Sequence, residues 1–204
     1  MSQELTFREI RYVEKRGKIL KQAAKIFAKK GYEKTSLEEI ATQLKLSKAS
    51  LYHYIKSKDE VLFLIQVEAI DQVLFSIKQI QETDKTPAGK LEDVIRAYVM
   101  IVTQNHIIGA LRQQELILPL KWRSKIIELR DKCDQEFQKI IFQGLENGHF
   151  QARDGKMAYM AAIGALNGIL RWYSPKGKLS VSEISDAMAD FILKGFGVIR
   201  KISN

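Results

Sequence analysis

Apolar positions recur along almost the whole chain at three- and four-residue spacing, the period of an amphipathic helix rather than the alternation of a strand. Ile19, Ala23, Ile26 and Phe27 form the first such stripe and predict a helix over residues 12–30, closed by Gly31. Residues 1–10 are polar and mixed and read as a loose arm. Leu37, Ile40, Ala41 and Leu44 make a second, shorter stripe. Either Thr35 or Ser36 can cap it, each with a glutamate three residues on (Glu38 or Glu39) to complete a capping box. Lys45-Leu46 breaks the period, and Ser47 is a good N-cap for another short helix. Two short helices joined by a tight turn read as a helix-turn-helix.

At about 100° per residue, the second of these helices turns Leu51, Ile55, Ser47 and Tyr54 to one side. Ala49 and His53 point directly away, with Ser50 and Tyr52 on the flanks and Lys48 at the start. Such a face gains little from bulk water. It suits a DNA major groove, where small residues allow close approach and a methyl can touch thymine.

Beyond it, Ser57 and Glu60 form another capping box, opening a long helix through about residue 81 with Leu62, Ile65, Ala69, Val73, Ile77 and Ile80 on one side. Pro87 starts a helix over residues 87–105, and residues 107–118 read as a shorter helix or an irregular pair before Pro119. The longest helix follows over residues 120–147, striped by Trp122, Ile126, Leu129, Cys133, Phe137, Ile140 and Gly144. Residues 154–173 differ in kind, because the stretch from Met157 to Leu170 is apolar nearly all round and rich in Ala and Gly. At 14 residues that stretch is too short to span a bilayer. A helix that is apolar on every side needs cover on every side. A last helix from residue 181 to about 200 presents Ile184, Ala187, Met188, Phe191 and Gly195. A second copy of the chain, meeting Ala161, Ala165, Gly168, Ile184, Met188 and Phe191, would complete the cover in an isologous four-helix interface. The fold class is therefore all-α, of about nine helices. An N-terminal three-helix bundle over residues 1–57 precedes a larger helical dimerisation domain over 58–204.

Composition sharpens this picture at one point. The net charge is +9, and residues 1–60 hold 14 Lys/Arg against 8 Asp/Glu, whereas the remaining 144 residues hold 19 against 16. The excess gathers around the helix-turn-helix, the footprint of a module that binds a polyanion. Lys15, Arg16, Lys18 and Lys21 on the first helix are either phosphate-facing or simply solvated. One cysteine, Cys133, and no opening signal peptide point to a reducing cytoplasm. Cys133 lies inside an apolar stripe and reads as a structural thiol. The three histidines, His53, His106 and His149, stand far apart without zinc-like partners, so no metal site is expected. Phosphate loops, nucleophile elbows and paired-carboxylate motifs are missing, and the chain is not read as an enzyme or as needing a cofactor.

The run Ile40-Ala41, followed by Leu46-Ser47-Lys48-Ala49-Ser50-Leu51-Tyr52-His53-Tyr54-Ile55-Lys56-Ser57-Lys58, resembles the DNA-binding domain of TetR-family transcriptional regulators. The likeness spans about residues 15–65 and departs at Lys45, where the family usually has Ala or Gly. It implies that Thr35 and Ser36 bring amides and a hydroxyl to a phosphate, that Lys48, Ala49, Ser50 and His53 stand at the base edges, and that Ser47 belongs to the same DNA-binding set. Tyr52, Lys58 and, more weakly, Lys56 would meet phosphates, and Tyr54 would pack on the first helix. A symmetric homodimer would then face a palindromic operator in double-stranded DNA.

Residues 144–195 resemble a C-terminal pattern of TetR-type regulators of fatty-acid, steroid and phenylacetate catabolism, matching at Asn167, Arg171, Trp172, Tyr173, Pro175 and Gly177. Gly168 stands where that pattern has Trp, and Lys178 where it has Pro. Several such regulators respond to acyl-CoA thioesters, so the implied effector is an acyl-CoA. Arg112, Arg171 and Trp172 would serve its phosphates and adenine, and Tyr98, Met100 or Phe137 its tail. The rival assignment for Trp172 and Tyr173 is dimer packing, and for Arg171 an interface salt bridge. A lipophilic cation or drug, for which Glu115 is a candidate, and regulation without a small ligand remain open alternatives.

Overall fold

The computed structural model describes residues 6–104 and 116–198. Among them are eight α-helices and no strand: α1 Phe7–Lys30, α2 Leu37–Gln43, α3 Lys48–Tyr54, α4 Lys58–Gln81, α5 Pro87–Gln104, α6 Leu120–Glu146, α7 Gly155–Trp172 and α8 Val181–Gly195. The all-α expectation holds. The helix expected over residues 107–118 lies largely outside the described stretch.

The first helix starts earlier than its buried stripe announces. Thr6 and Glu9 form a reciprocal capping box, in which the Glu9 amide donates to the Thr6 hydroxyl and the Thr6 amide to the Glu9 carboxylate at 2.8 Å. Residues 7–11 are thus helix and not a loose arm. At the other end Gly31 adopts φ 86° and donates its amide to the Phe27 carbonyl.

The described residues divide into two compact units, 6–68 with 116–126, and 69–104 with 127–198. The division falls inside α4 rather than at residue 58. Val61 and Leu62 are fully buried, and the Phe63 ring stacks on Trp122 at 5.2 Å, so the first turns of α4 and the start of α6 both belong to the N-terminal unit. The core of that unit gathers Ile19, Ala23, Ile26 and Phe27 of α1, Ile40 and Ala41 of α2, and Leu51 and Ile55 at α3.

The second unit is built on α5, which packs along α8 and, less extensively, α7. Leu91, Ile95 and Val99 of α5 are fully buried with Ile140 and Ile141 of α6, Ile169 of α7 and Ala189 of α8. Arg96 ties α5 to α8 at the surface, donating to Glu92 at 2.8 Å and Asp186 at 2.5 Å. Cys133 is half-buried, its sulfur 3.6 Å from the Ile70 carbonyl oxygen, and burial pushes the thiol up to about 12. It is therefore a thiol, not a thiolate, at neutral pH.

Two ring faces explain a glycine on α6. Phe150 and Phe196 pack at 5.2 Å, both buried, and a Cβ on Gly144 would fall 2.2 Å from the Phe150 ring. Overpacking costs about 1–3 kcal/mol, more than the roughly 1 kcal/mol that Ala gains over Gly in a helix. Gly144→Ala is expected to lower stability by roughly 1–2 kcal/mol in thermal unfolding. Gly17→Ala on α1, where nothing lies within 4 Å of the added carbon, should instead stabilise.

Candidate nucleic-acid interface

The turn between α2 and α3 sets the position of everything on α3. Leu44 closes α2, the Leu46 amide reaches back to the Ala41 carbonyl at 2.9 Å, and the Lys45 amide to Thr42 at 3.0 Å. This is a Schellman closure, and it demands a left-handed residue between the two bonds. Lys45 fills that place at φ 53°, alone among the described non-glycine residues in having positive φ. The departure from Ala or Gly noted in the sequence thus sits on the one strained residue of the motif.

Ser47 then caps α3, accepting from the Ser50 amide at 3.1 Å, and the two hydroxyls bond at 2.9 Å. Leu51 and Ile55 are wholly buried, while Lys48, Ala49, Ser50 and His53 are exposed on the opposite side. Ser47, expected on the inward side, is exposed as well, because its hydroxyl is spent on the cap. Tyr54 packs on α1 through Tyr12, ring centroids 5.0 Å apart.

The cations of this surface are differently engaged. Lys48 pairs with Glu38 of α2 at 2.8 Å, a bond that raises the Lys48 pKa and lowers that of Glu38, and its ammonium also lies 5.8 Å from the Tyr52 ring. Lys56 donates to the Tyr52 carbonyl at 3.2 Å, closing the C-terminus of α3. Lys58 donates to the carbonyls of Tyr32 at 3.0 Å and Glu33 at 3.4 Å and lies over the Tyr32 ring at 4.3 Å. Its ammonium is held by the α1–α2 connection, so a phosphate would have to share it.

Two details correct the expected site. Thr35 does not offer its hydroxyl outward: it is buried and donates to the Gly31 carbonyl at 2.9 Å, while its amide donates to Tyr32. Ser36 alone caps α2, accepting from the Glu39 amide at 3.1 Å. Glu39 turns to Lys30 instead of completing the box. Likewise Glu60, whose amide donates to Ser57 at 3.0 Å, gives its carboxylate to the Lys56 amide.

In the second unit, two of the residues proposed to meet a ligand touch each other. The Tyr98 hydroxyl donates to the Asn167 side-chain oxygen at 2.8 Å, joining α5 and α7. Phe137 is buried against Tyr159 at 5.9 Å, Met100 is exposed, and Arg112 lies outside the described residues, as does Glu115. Arg171 and Trp172 are exposed at the end of α7, and the Trp172 indole nitrogen would lie 3.7 Å from a Cβ on Gly168. The open side of α7 carries Met157, Met160, Ala161, Gly164 and Trp172, with Ala165 and Gly168 half-buried beside them. On α8, Phe191 is 68% exposed and Met188 half-buried. Ile184 is the exception among the expected interface residues: it is 4% exposed, within the core that α5 completes, and so is withdrawn from the interface.

Among the described residues no cluster of ligating side chains suits a metal, and no helix is long and apolar enough to cross a membrane. What the first unit defines is a DNA-binding helix-turn-helix head. The family model described as bacterial regulatory proteins of the tetR family matches residues 19–65, and the tetracyclin repressor-like C-terminal domain matches residues 84–196, more than half of the chain. The chain belongs to the TetR family of transcriptional regulators.

Among its relatives are the HTH-type transcriptional repressor KstR2 of Mycobacterium tuberculosis, 26% identical over 89% of this chain and 92% of that protein, and the fatty acid metabolism regulator protein of Bacillus subtilis, 22% identical over 87% and 93%. Among solved structures, the TetR-family regulator PfmR of Thermus thermophilus is 34% identical with a TM-score of 0.80, over 87% of this chain and 97% of that one. AibR, in a complex with isovaleryl coenzyme A and operator DNA, has the same fold at 24% identity and a TM-score of 0.74, over 90% and 99%.

The strained turn yields a direct test. A left-handed non-glycine residue costs about 1–2 kcal/mol, and the freedom of an unfolded glycine returns part of that. Lys45→Gly is expected to raise the stability of the head by roughly 0.5–1 kcal/mol, read by denaturant unfolding of the full chain.

Proposed function

We propose that this regulator acts as a homodimeric repressor that holds a palindromic operator through α3 and releases it when a small ligand, an acyl-CoA thioester, binds the second unit. The observation that carries the DNA half is the outward face of α3, where small and polar side chains are exposed opposite two fully buried anchors. The exposed apolar side of α7 with Phe191 of α8 supports a second copy as its cover, since a surface of this kind is costly to leave in water. Two such heads would place their α3 helices about one helical turn apart on the duplex, near 34 Å.

The acyl-CoA half rests on the relatives and on the C-terminal pattern. A protein named for fatty acid metabolism is similar in sequence, and a structure holding isovaleryl coenzyme A similar in fold, along nearly the whole chain. Tyr98 and Asn167, bonded to each other across two helices, would exchange that bond for the ligand when it enters. Release requires that the ligand bind the DNA-incompetent arrangement more tightly than the competent one.

Fluorescence anisotropy of the protein on a duplex selected from its own upstream region tests both halves. Medium- or short-chain acyl-CoA is expected to release the duplex, whereas free CoA is not. Binding that no thioester disturbs would overturn the ligand assignment and leave the regulator intact. Failure to prefer any duplex over scrambled DNA would overturn the operator reading.

A further inference from the structure

The recognition surface does not end at α3. The first turns of α1 run well beyond the head's core, since its first buried residue is Ile19, twelve residues after the helix begins at Phe7. That extension holds Arg8, Arg11, Lys15, Arg16 and Lys18 against Glu9 and Glu14. It meets α3 through Tyr12. The Tyr12 ring stands edge-on to His53 at 5.7 Å and tilted against Tyr54 at 5.0 Å, while His53 and Tyr54 are themselves edge-to-face at 5.0 Å. Arg16, one turn further along α1, lies over the same Tyr12 ring, its guanidinium carbon 5.6 Å from the centroid.

We propose that Tyr12 and Arg16 of α1 belong to the DNA interface, Tyr12 as the positioning residue that fixes the His53 ring toward the groove and Arg16 as a further contact to the phosphate flanking the base His53 faces. The inference rests on the reading of α3 as the groove helix. His53 is exposed near the end of a seven-residue helix and takes its restraint from aromatic neighbours, of which Tyr54 is largely committed to packing on α1. Tyr12 is the only described ring on another helix that touches it, so it supplies the restraint that α3 itself does not. Arg16, laid over that ring, is pre-oriented beside the same surface, and a planar guanidinium with several donors suits a phosphate. A base-reading side chain and a backbone-contacting cation are thereby coupled through one tyrosine.

The test uses the full-length protein and a duplex selected from random sequence by the wild type. Arg16→Gln should weaken operator and non-operator duplexes by the same factor. It should also lower the slope of log affinity against log salt by about one per protomer. Tyr12→Leu, which keeps apolar cover over Tyr54, should weaken operator binding about two- to tenfold, the worth of an aromatic pair, beyond any loss on non-operator DNA, which falls no further than for Arg16→Gln. Tyr12→Phe should restore wild-type behaviour. In a His53→Ala background Tyr12→Leu should cost the operator no more than it costs non-operator DNA, because Tyr12 serves sequence preference only through His53. Additive losses from Tyr12→Leu and His53→Ala, or a Tyr12→Phe variant as weak as Tyr12→Leu, would overturn the positioning role. An unchanged salt slope for Arg16→Gln would overturn the phosphate contact. Should the wild type select no duplex at all, the groove assignment of α3 would fail before either variant is needed.

Discussion

A seven-residue helix has no stability of its own, since nucleation is unfavourable and too few hydrogen bonds follow to offset it. Here α3 exists because Leu51 and Ile55 are wholly buried in the head and Ser47 caps its start. That anchoring also decides what α3 can do. With two side chains pinned inward on a helix of 3.6 residues per turn, Ala49 and His53 have no direction left but outward. The Schellman turn at Lys45 sets the angle at which α3 leaves α2, and the Tyr12–Tyr54 contact holds its far end. DNA recognition is the consequence of a packing solution.

The second unit obeys a different constraint. Its helices α5, α6, α7 and α8 share one apolar core, yet α7 carries more apolar surface than that core can cover. The surplus is made of small residues flanked by Met157, Met160 and Trp172, a surface on which another helix can approach closely. Arg96, paired with Glu92 and Asp186, joins α5 to α8, the same helix that exposes Phe191.

Much of this was legible from spacing alone, and the exceptions have physical causes. The stripes on α2, α3 and α5 mark helices within a residue or so of where they lie, because each buries one face. The start of α1 was hidden because Phe7, Ile10 and Val13 remain exposed, so no buried face marks it; the signal was the Thr6–Glu9 box. Thr35 and Ser36 could not be told apart by pattern, each having Glu three residues on. Only the bond from the Thr35 hydroxyl to Gly31 decides it. Ile184 and Phe191 share nearly one angle on α8, yet one is buried and the other open, a difference set by where neighbouring helices provide cover. The Tyr98–Asn167 bond joins residues 69 apart in sequence, beyond any local pattern.

The central claim is that the face of α3 opposite Leu51 and Ile55 lies in the major groove. Ala49, exposed at the middle of that face, can be replaced by a photoreactive amino acid without disturbing the core, and the operator complex can then be irradiated. Cross-links are expected to bases in two major-groove segments about one helical turn apart, lost on scrambled DNA. Cross-links confined to the sugar-phosphate backbone, or equal on operator and scrambled duplexes, would contradict it.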